Sequence, residues 1–374
     1  MLASLALSGF RNLADQRVDL PAAGMAVVAD NGQGKTNFLE AIYYLEIFRS
    51  FRGAPDEQLV RFGADFFRVE GKLTIEGRTR TVAAALDRRS RRKKVTIDGQ
   101  EPERIGDAIG SVGVVVFSPA DVAIVAGSPA ERRRFLDIVL SLAVPGYLEW
   151  LQRYRQVLLR RNALLREGAP AELVGAWDAG LADWGSRVIA ARLRWVSERR
   201  EAFRSHVHRI GGGSEAQLDY AGSIDLAEVG VERADIAAAL LEALERSRER
   251  ERRRGATLVG PHRDNLRIRV RTDGTEAWTD LRAYGSGGQQ RTAAVALRML
   301  EADSRRETTG REPLMLLDDV FAELDPGRSR RILDWIEERG EGQVILTAPK
   351  ATDVEVRGMV LPRWGLREGR LFPL

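Results

Sequence analysis

The sequence predicts an α/β fold, a mixed sheet with flanking helices, interrupted by a mainly helical insertion. Three observations carry this. Short apolar runs broken by turn residues both open and close the chain. A glycine-rich loop joins an apolar strand to a helix near residue 30. The stretch from 119 to about 254 reads as long helices with few strand signals.

Taken in order, Leu2-Leu5-Leu7, Val18-Leu20 and Met25-Val28 are strand-like, and 36–48 reads as a helix with Phe38, Ile42, Leu45 and Phe48 at helical spacing. Strand patterns return at 68–75, 80–86, 95–97 and 112–117. The helical stretch breaks at Gly127-Ser128-Pro129, Pro145-Gly146 and 168–170, and Gly211-Gly212-Gly213-Ser214 reads as a flexible link to a short strand at 216–220. A further helix follows at 234–254. Beyond Gly255, Leu266, Ile268 and Val270 alternate with arginines, the period of a strand. The expected domains are 1–118 and 255–374, two parts of one head, with 119–254 as the inserted arm.

Composition narrows the class. With 374 residues, 44% hydrophobic and 30% charged, the chain can bury two or three domain cores. It has no cysteine, which excludes disulfides and thiolate metal sites and suits a reducing compartment. No leader-like segment and no ~20-residue apolar run is present, so the expectation is a soluble cytoplasmic protein with no membrane partner. A net charge of +4 argues only weakly for an anionic partner. Basic positions are almost always arginine; lysine occurs only at 35, 72, 93, 94 and 350, which sets Lys35 apart.

Lys35 lies in the first chemical motif, Ala29-Asp30-Asn31-Gly32-Gln33-Gly34-Lys35-Thr36, between a strand and a helix. Its glycines let backbone N–H groups close around phosphate oxygens, and the helix start adds its positive dipole end. Lys35 would reach the outer phosphates and Thr36 would hold Mg²⁺. Ala29 stands where the Walker A pattern has its first glycine. The second motif, Leu314-Met315-Leu316-Leu317-Asp318-Asp319, delivers two carboxylates from an apolar strand. Asp318 suits the Mg²⁺ shell and Asp319 the attacking water, and Glu323-Leu324-Asp325-Pro326 follows closely. The third, Ser286-Gly287-Gly288-Gln289-Gln290-Arg291, opens an alanine-rich helix and offers a second anion site. Two such sites on one chain argue for one ligand shared between two copies.

Together these motifs resemble the ATP-binding-cassette set, and further segments resemble the RecF family of the SMC/Rad50 branch. Phe10-Arg11-Asn12 resembles that family's opening Phe-Arg-Asn-Tyr, with Leu13 in place of tyrosine. Asn31 through Ile42 matches its phosphate-loop segment. Val116-Phe-Ser-Pro-Ala-Asp121, Gly127-Ser-Pro-Ala-Glu-Arg-Arg-Arg-Phe-Leu-Asp137, Arg161-Asn162 and Gly260-Pro-His-Arg-Asp264 are further matches, in order along nearly the whole chain. The resemblance implies an ABC-type ATPase head with an arm. It implies ATP and Mg²⁺ as cofactors, with Arg11 and Asn12 joining the loop residues around the nucleotide. It further implies slow hydrolysis, ATP-dependent homodimerisation, and binding to single- and double-stranded DNA and their junctions. The partners it implies are RecR and RecO, with a functional link to RecA loading, fork maintenance and the SOS response. Thr347, in Gln343-Val-Ile-Leu-Thr-Ala348, is the candidate γ-phosphate sensor in a segment without histidine.

Other features stay open at this level. The runs 88–94, 132–134 and 246–254 could contact DNA phosphates or be ion-paired surface, the last being laced with glutamates. Trp150, Trp177, Trp184 and Trp195 read as core. His206 and His208 are two apart, so on a helix they diverge, and the role of His262 is open. A transporter-associated cassette ATPase and a full SMC-type protein are the competing readings; the chain lacks the long heptad run the latter needs.

Overall fold

The computed structural model describes residues 1–225, 232–271, 277–340, 342–350 and 361–374, with Ala322 and Glu323 described in backbone alone. The chain runs through β1 (Leu2–Ser8), β2 (Gln16–Asp19), β3 (Gly24–Val28), α1 (Lys35–Ile47), β4 (Phe66–Ile75), β5 (Arg78–Asp87), β6 (Lys93–Ile97) and β7 (Val114–Phe117). Helices follow: α2 (Val122–Ala126), α3 (Pro129–Ala143), α4 (Tyr147–Arg166), α5 (Ala171–Gly175) and α6 (Asp178–Gly211). Next come β8 (Ala216–Ala221), α7 (Arg233–Arg254), β9 (Asn265–Arg271), β10 (Trp278–Asp280), α8 (Leu281–Tyr284) and α9 (Gly287–Thr309). The chain closes with β11 (Leu314–Leu317), α10 (Pro326–Glu338), β12 (Val344–Ala348), β13 (Arg363–Arg367) and β14 (Arg370–Pro373). Two compact units result: Met1–Asp121 with Leu297–Leu374, and Val122–Ala296.

In the first unit an antiparallel sheet is ordered β2-β1-β4-β5-β6, and a second sheet is ordered β14-β13-β3-β12-β11-β7. The second is parallel from β13 to β7, with β14 as an antiparallel edge. Its strands β7, β11 and β12 are buried at every position, which is why they read as unbroken apolar runs. In β4 the side chains of Phe67, Val69 and Leu73 alternate inward, as a half-solvated strand requires. Helix α1 packs on strands of both sheets. Phe38, Leu39, Ala41, Ile42, Tyr43, Tyr44 and Leu45 are all buried, so α1 is apolar nearly all round rather than amphipathic.

The second unit holds α2 through α8, the three-stranded sheet β10-β9-β8 and the start of α9. The sequence reading ended the insertion at 254; this unit continues to Ala296. The cause is strand pairing: Leu218 faces Ile268, and Tyr220 faces Leu266, so the alternating strand after Gly255 belongs with β8. The glycines after Ile210 also differ from expectation. They cap α6 rather than link flexibly: Gly212 takes a left-handed φ of 66°, and the N–H groups of Gly212 and Gly213 both bond to the His208 carbonyl.

This unit also buries charge. Arg161 is fully enclosed, donating to Asp178 at 2.8 Å and to Thr257 Oγ1 at 2.9 Å, with Glu251 also 2.8 Å away. Asn162 accepts from the backbone N–H and the hydroxyl of the same Thr257. Arg192 donates to Asp137 at 2.7 Å, to Tyr147 and to the Pro261 carbonyl. Asp264 accepts from Tyr220 and from the Ser223 N–H. Asp137, Arg161-Asn162 and Gly260–Asp264, segments singled out in the sequence, thus form the polar interior of this unit. Of the four tryptophans read as core only Trp195 is buried. Trp150 is half-buried, and so are Trp177 and Trp184, each with an arginine, Arg160 or Arg187, over its ring.

Candidate functional site

Parallel pairing places Val28 beside Ala348, and Leu317 beside Leu346, so β3, β12 and β11 end together. The loops beyond the carboxyl ends of such strands are where open α/β sheets hold ligands. Residues 29–34 form one of these loops and α1 opens directly after it. Gly34 takes φ 111°, and a Cβ there would lie 2.7 Å from Asn12 Oδ1, so the loop needs glycine at this point. Ala29 does not adopt a left-handed backbone, so alanine carries no such strain where Walker A loops have glycine. No side chain caps the start of α1, and no acid sits in its first turn. Its free N–H groups and dipole end are open to an anion.

Lys35 is buried beneath this loop. Its ammonium donates to the Ala29 carbonyl at 2.8 Å and to Asn31 Oδ1 at 3.2 Å, and Asp319 lies 3.6 Å away. Thr36 donates to Asp318 Oδ1 at 2.9 Å. Burial pushes the Asp318 carboxyl up to about 6; the bond from Thr36 pulls it back and the charge of Asp319 adds to the rise. Asp319 is partly exposed and holds a left-handed φ of 45°, a strained position of the kind found at functional sites. Its N–H donates to Thr347 Oγ1 at 2.9 Å. That hydroxyl is also 3.3 Å from Asp318 and 3.2 Å from Asp319, so Thr347 touches both carboxylates from β12.

The structure brings Lys35, Thr36, Asp318, Asp319 and Thr347 together. Asp30, Asn31 and Gly32 lie exposed on the loop, and the Gly32 carbonyl accepts from Asn12 at 3.3 Å. Gln33 accepts the Glu368 N–H at 3.2 Å. The Arg11 guanidinium makes a two-pronged bond, 2.9 and 3.1 Å, to the fully buried Glu40 of α1. Sequence reasoning missed Asn37, which donates to Asn12 at 2.7 Å, and the turn between β13 and β14, whose Gly369 carbonyl accepts from Ala14 and Gln16. Their periodicity shows only a helix and a hairpin, so no local signal marks them.

Ser286, Gly287, Gly288 and Gln289 lie in the second unit, where α9 begins. The Ser286 N–H donates to Gln289 Oε1 at 2.9 Å and the Gln289 N–H donates to Ser286 Oγ at 3.2 Å, a reciprocal capping box on an exposed turn. The basic runs divide by burial. Arg132 is buried, bonded to Asn265 and to the carbonyls of Val125 and Gly127, which gives it a structural role. In 246–254, Arg246, Arg248 and Arg252 pair with Glu242, Glu245 and Glu249, as an ion-laced helix face does. Among the described residues, no helix is long and apolar enough to cross a membrane.

The RecF/RecN/SMC N-terminal domain family matches residues 1–360. The chain is 38% identical to the DNA replication and repair protein RecF of Synechococcus sp. (strain JA-3-3Ab), covering 90% of this chain and 89% of that one. Identity to the RecF of Chloroflexus aggregans is also 38%, over 98% of each chain. A solved structure of the recombination mediator protein RecF with ATP, from the RecFOR pathway, superposes with a TM-score of 0.90 at 29% identity, covering 100% of this chain and 97% of that one. The expected head fold and family are borne out, and a transporter cassette is not favoured.

Proposed function

The chain belongs to the RecF family of DNA replication and repair proteins, and from that premise we propose an ATP-gated DNA-binding mediator of recombinational repair. One observation carries the proposal: Lys35, Thr36 and the Asp318-Asp319 pair converge beneath an uncapped helix start. The residues fit a nucleoside triphosphate with Mg²⁺. The free N–H groups of α1 and Lys35 would hold the phosphates, and Thr36 and Asp318, already 2.9 Å apart, would supply two oxygens to the cation. When bound, the cation would neutralise phosphate charge and favour the ionised Asp318 carboxylate. Asp319 orients the attacking water and Thr347 steadies both carboxylates. Hydrolysis is slow and serves release.

The signature turn at Ser286 completes the site on a second copy of the chain, so ATP acts as a dimerisation signal. In this reading the functional head is 1–118 with 255–374 and the arm is 119–254, a division by motif that differs from the packing units, since 255–296 packs in the second unit. DNA, single- and double-stranded and at junctions, is the ligand; RecR and RecO are the partners in placing RecA on gaps, in the cytoplasm. The test is DNA binding with and without ATP, in the parent and in Lys35→Ala. Removing the ammonium should weaken nucleotide binding by about 100-fold and abolish the ATP-dependent part of DNA binding. DNA binding indifferent both to ATP and to Lys35 would overturn the switch.

A further inference from the structure

Phe62 is fully exposed, the most exposed large apolar side chain among the described residues, and Phe66 nearby is half exposed. Neither ring gains from folding in the way a core phenylalanine does. The turn that carries Phe62 is nonetheless held firmly. The Ala64 N–H bonds back to the Arg61 carbonyl at 2.9 Å, and Gly63 supplies φ 83°, the positive value a type II turn needs after its corner residue. The Arg61 N–H bonds to the Gly9 carbonyl, and the Arg61 side chain is tied to Asp15 and to the Leu13 carbonyl. Phe62 therefore stands at the corner of a turn pinned on both sides.

The β5–β6 turn lies against the same segment. The Arg88 N–H donates to the Asp65 carbonyl at 2.8 Å, Arg89 pairs with the Asp65 carboxylate at 3.0 Å, and Phe66 faces Asp87 across the β4–β5 ladder. This turn contributes Arg88, Arg89, Arg91 and Arg92, all exposed. Arg88 and Arg92 have no ion pair among the described residues. The pairs of Arg89 with Asp65 and of Arg91 with Glu57 sit in solvent, where a phosphate can compete for them. Lys93 differs: it pairs with Asp56, donates to the Phe48 carbonyl at 2.7 Å and is a strut of the fold.

We propose that Phe62 and Phe66, with Arg88 and Arg92 beside them, form a landing site for single-stranded nucleic acid, the rings stacking on unpaired bases and the guanidiniums meeting the backbone. The proposal rests on the DNA-binding reading above and names the strand type and the surface. Two rigidly presented rings beside unpaired cations match what binds single strands without sequence preference. A duplex keeps its base faces stacked inside and gives the rings nothing to hold.

The experiment measures fluorescence anisotropy of a labelled oligothymidine and of a duplex of equal length, with ATP and Mg²⁺ present. The proteins are the parent, Phe62→Ala with Phe66→Ala, and Arg88→Glu with Arg92→Glu. All four positions are exposed, and circular dichroism checks the fold. The phenylalanine variant should bind the single strand about ten-fold more weakly and the duplex nearly as the parent does. The arginine variant should lose affinity for the single strand and show a shallower salt dependence. Unchanged single-strand affinity in the phenylalanine variant, with the parent binding well, overturns this site alone and turns the surface over to a protein partner. Equal losses on both DNAs overturn the stacking role. A parent that binds neither DNA overturns this proposal together with the function it rests on.

Discussion

The nucleotide-loop cluster of the first unit and the arginine cluster of the second are made of the same materials, and they differ in what is left over. Around Arg161 the charges pair inside: Asp178 and Glu251 flank a guanidinium that water does not reach, and although its Nη2 has no hydrogen-bond partner, that donor is sealed from any ligand. Around Lys35 the partners are provisional. A backbone carbonyl, an asparagine and a half-open aspartate hold the ammonium, next to a helix start with no cap. A network sealed from solvent fixes one conformation, whereas one that opens to solvent has donors to offer a ligand. Both clusters were marked in the sequence by short polar motifs, so a motif alone does not say which kind it is.

The largest test of that contrast is Arg161→Ala. It strands Asp178 and Glu251 in the interior, and breaking a buried pair from one side costs about 3–5 kcal/mol. The expected outcome is a clear fall in the denaturant midpoint followed by tryptophan fluorescence, Trp195 being buried in the same unit, with nucleotide affinity of the folded protein unchanged. If nucleotide affinity falls and stability does not, the second cluster is a functional site and the distinction fails.

A pH titration sharpens the same point with a smaller effect. His262 donates from Nε2 to the Thr257 carbonyl at 3.1 Å, so its Nδ1 is the acceptor for the Tyr154 hydroxyl at 2.6 Å, and the ring is neutral. Burial pushes its pKa down from 6.5 to about 4. Between those values the unfolded chain binds the proton and the folded chain does not, so stability is complete above pH 6.5 and is lost as pH falls toward 4. The loss across that window is on the order of 3 kcal/mol. Asp264, raised by burial, works in the opposite direction, so the measurement is the difference between the parent and His262→Gln across that window. Parallel stability curves would show that His262 is not held neutral.

Much of this was legible in the sequence, and the rest was hidden for physical reasons. The strands of the parallel sheet and the order strand, loop, Lys35-Thr36, helix announce themselves because burial on both faces and phosphate chemistry each leave a local pattern. The placement of β9 in the second unit was not legible, since a period of two says that a strand exists and nothing of its partner. Arg11 was read toward the nucleotide from the resemblance of Phe10-Arg11-Asn12; its engagement with Glu40 depends on a fold contact 29 positions away, which no local pattern shows. Thr347 could be named as a candidate, yet its contact with both Asp318 and Asp319 follows only from the β11–β12 register.

The signature turn tests the contrast at its weakest point, because Ser286 lies in the unit with the closed cluster and yet stands exposed. Its side chain already accepts from the Gln289 N–H, so it has a sufficient structural reason to be there. Ser286→Ala removes that bond and should cost about 1 kcal/mol of stability. A cap and nothing more would leave ATP-dependent self-association intact. If the turn belongs to the open class, binding of ATP by each subunit should persist while sedimentation velocity shows the dimer weakened well beyond what the small loss of stability explains. The capping-box bonds, together with those from the Gln290 side chain to the Leu281 and Arg282 carbonyls, hold the geometry of this turn whether or not a ligand is present. A preset donor geometry lowers the ordering cost of binding. Dimer loss without unfolding would therefore place Ser286 with Lys35 rather than with Arg161, despite its position in the chain.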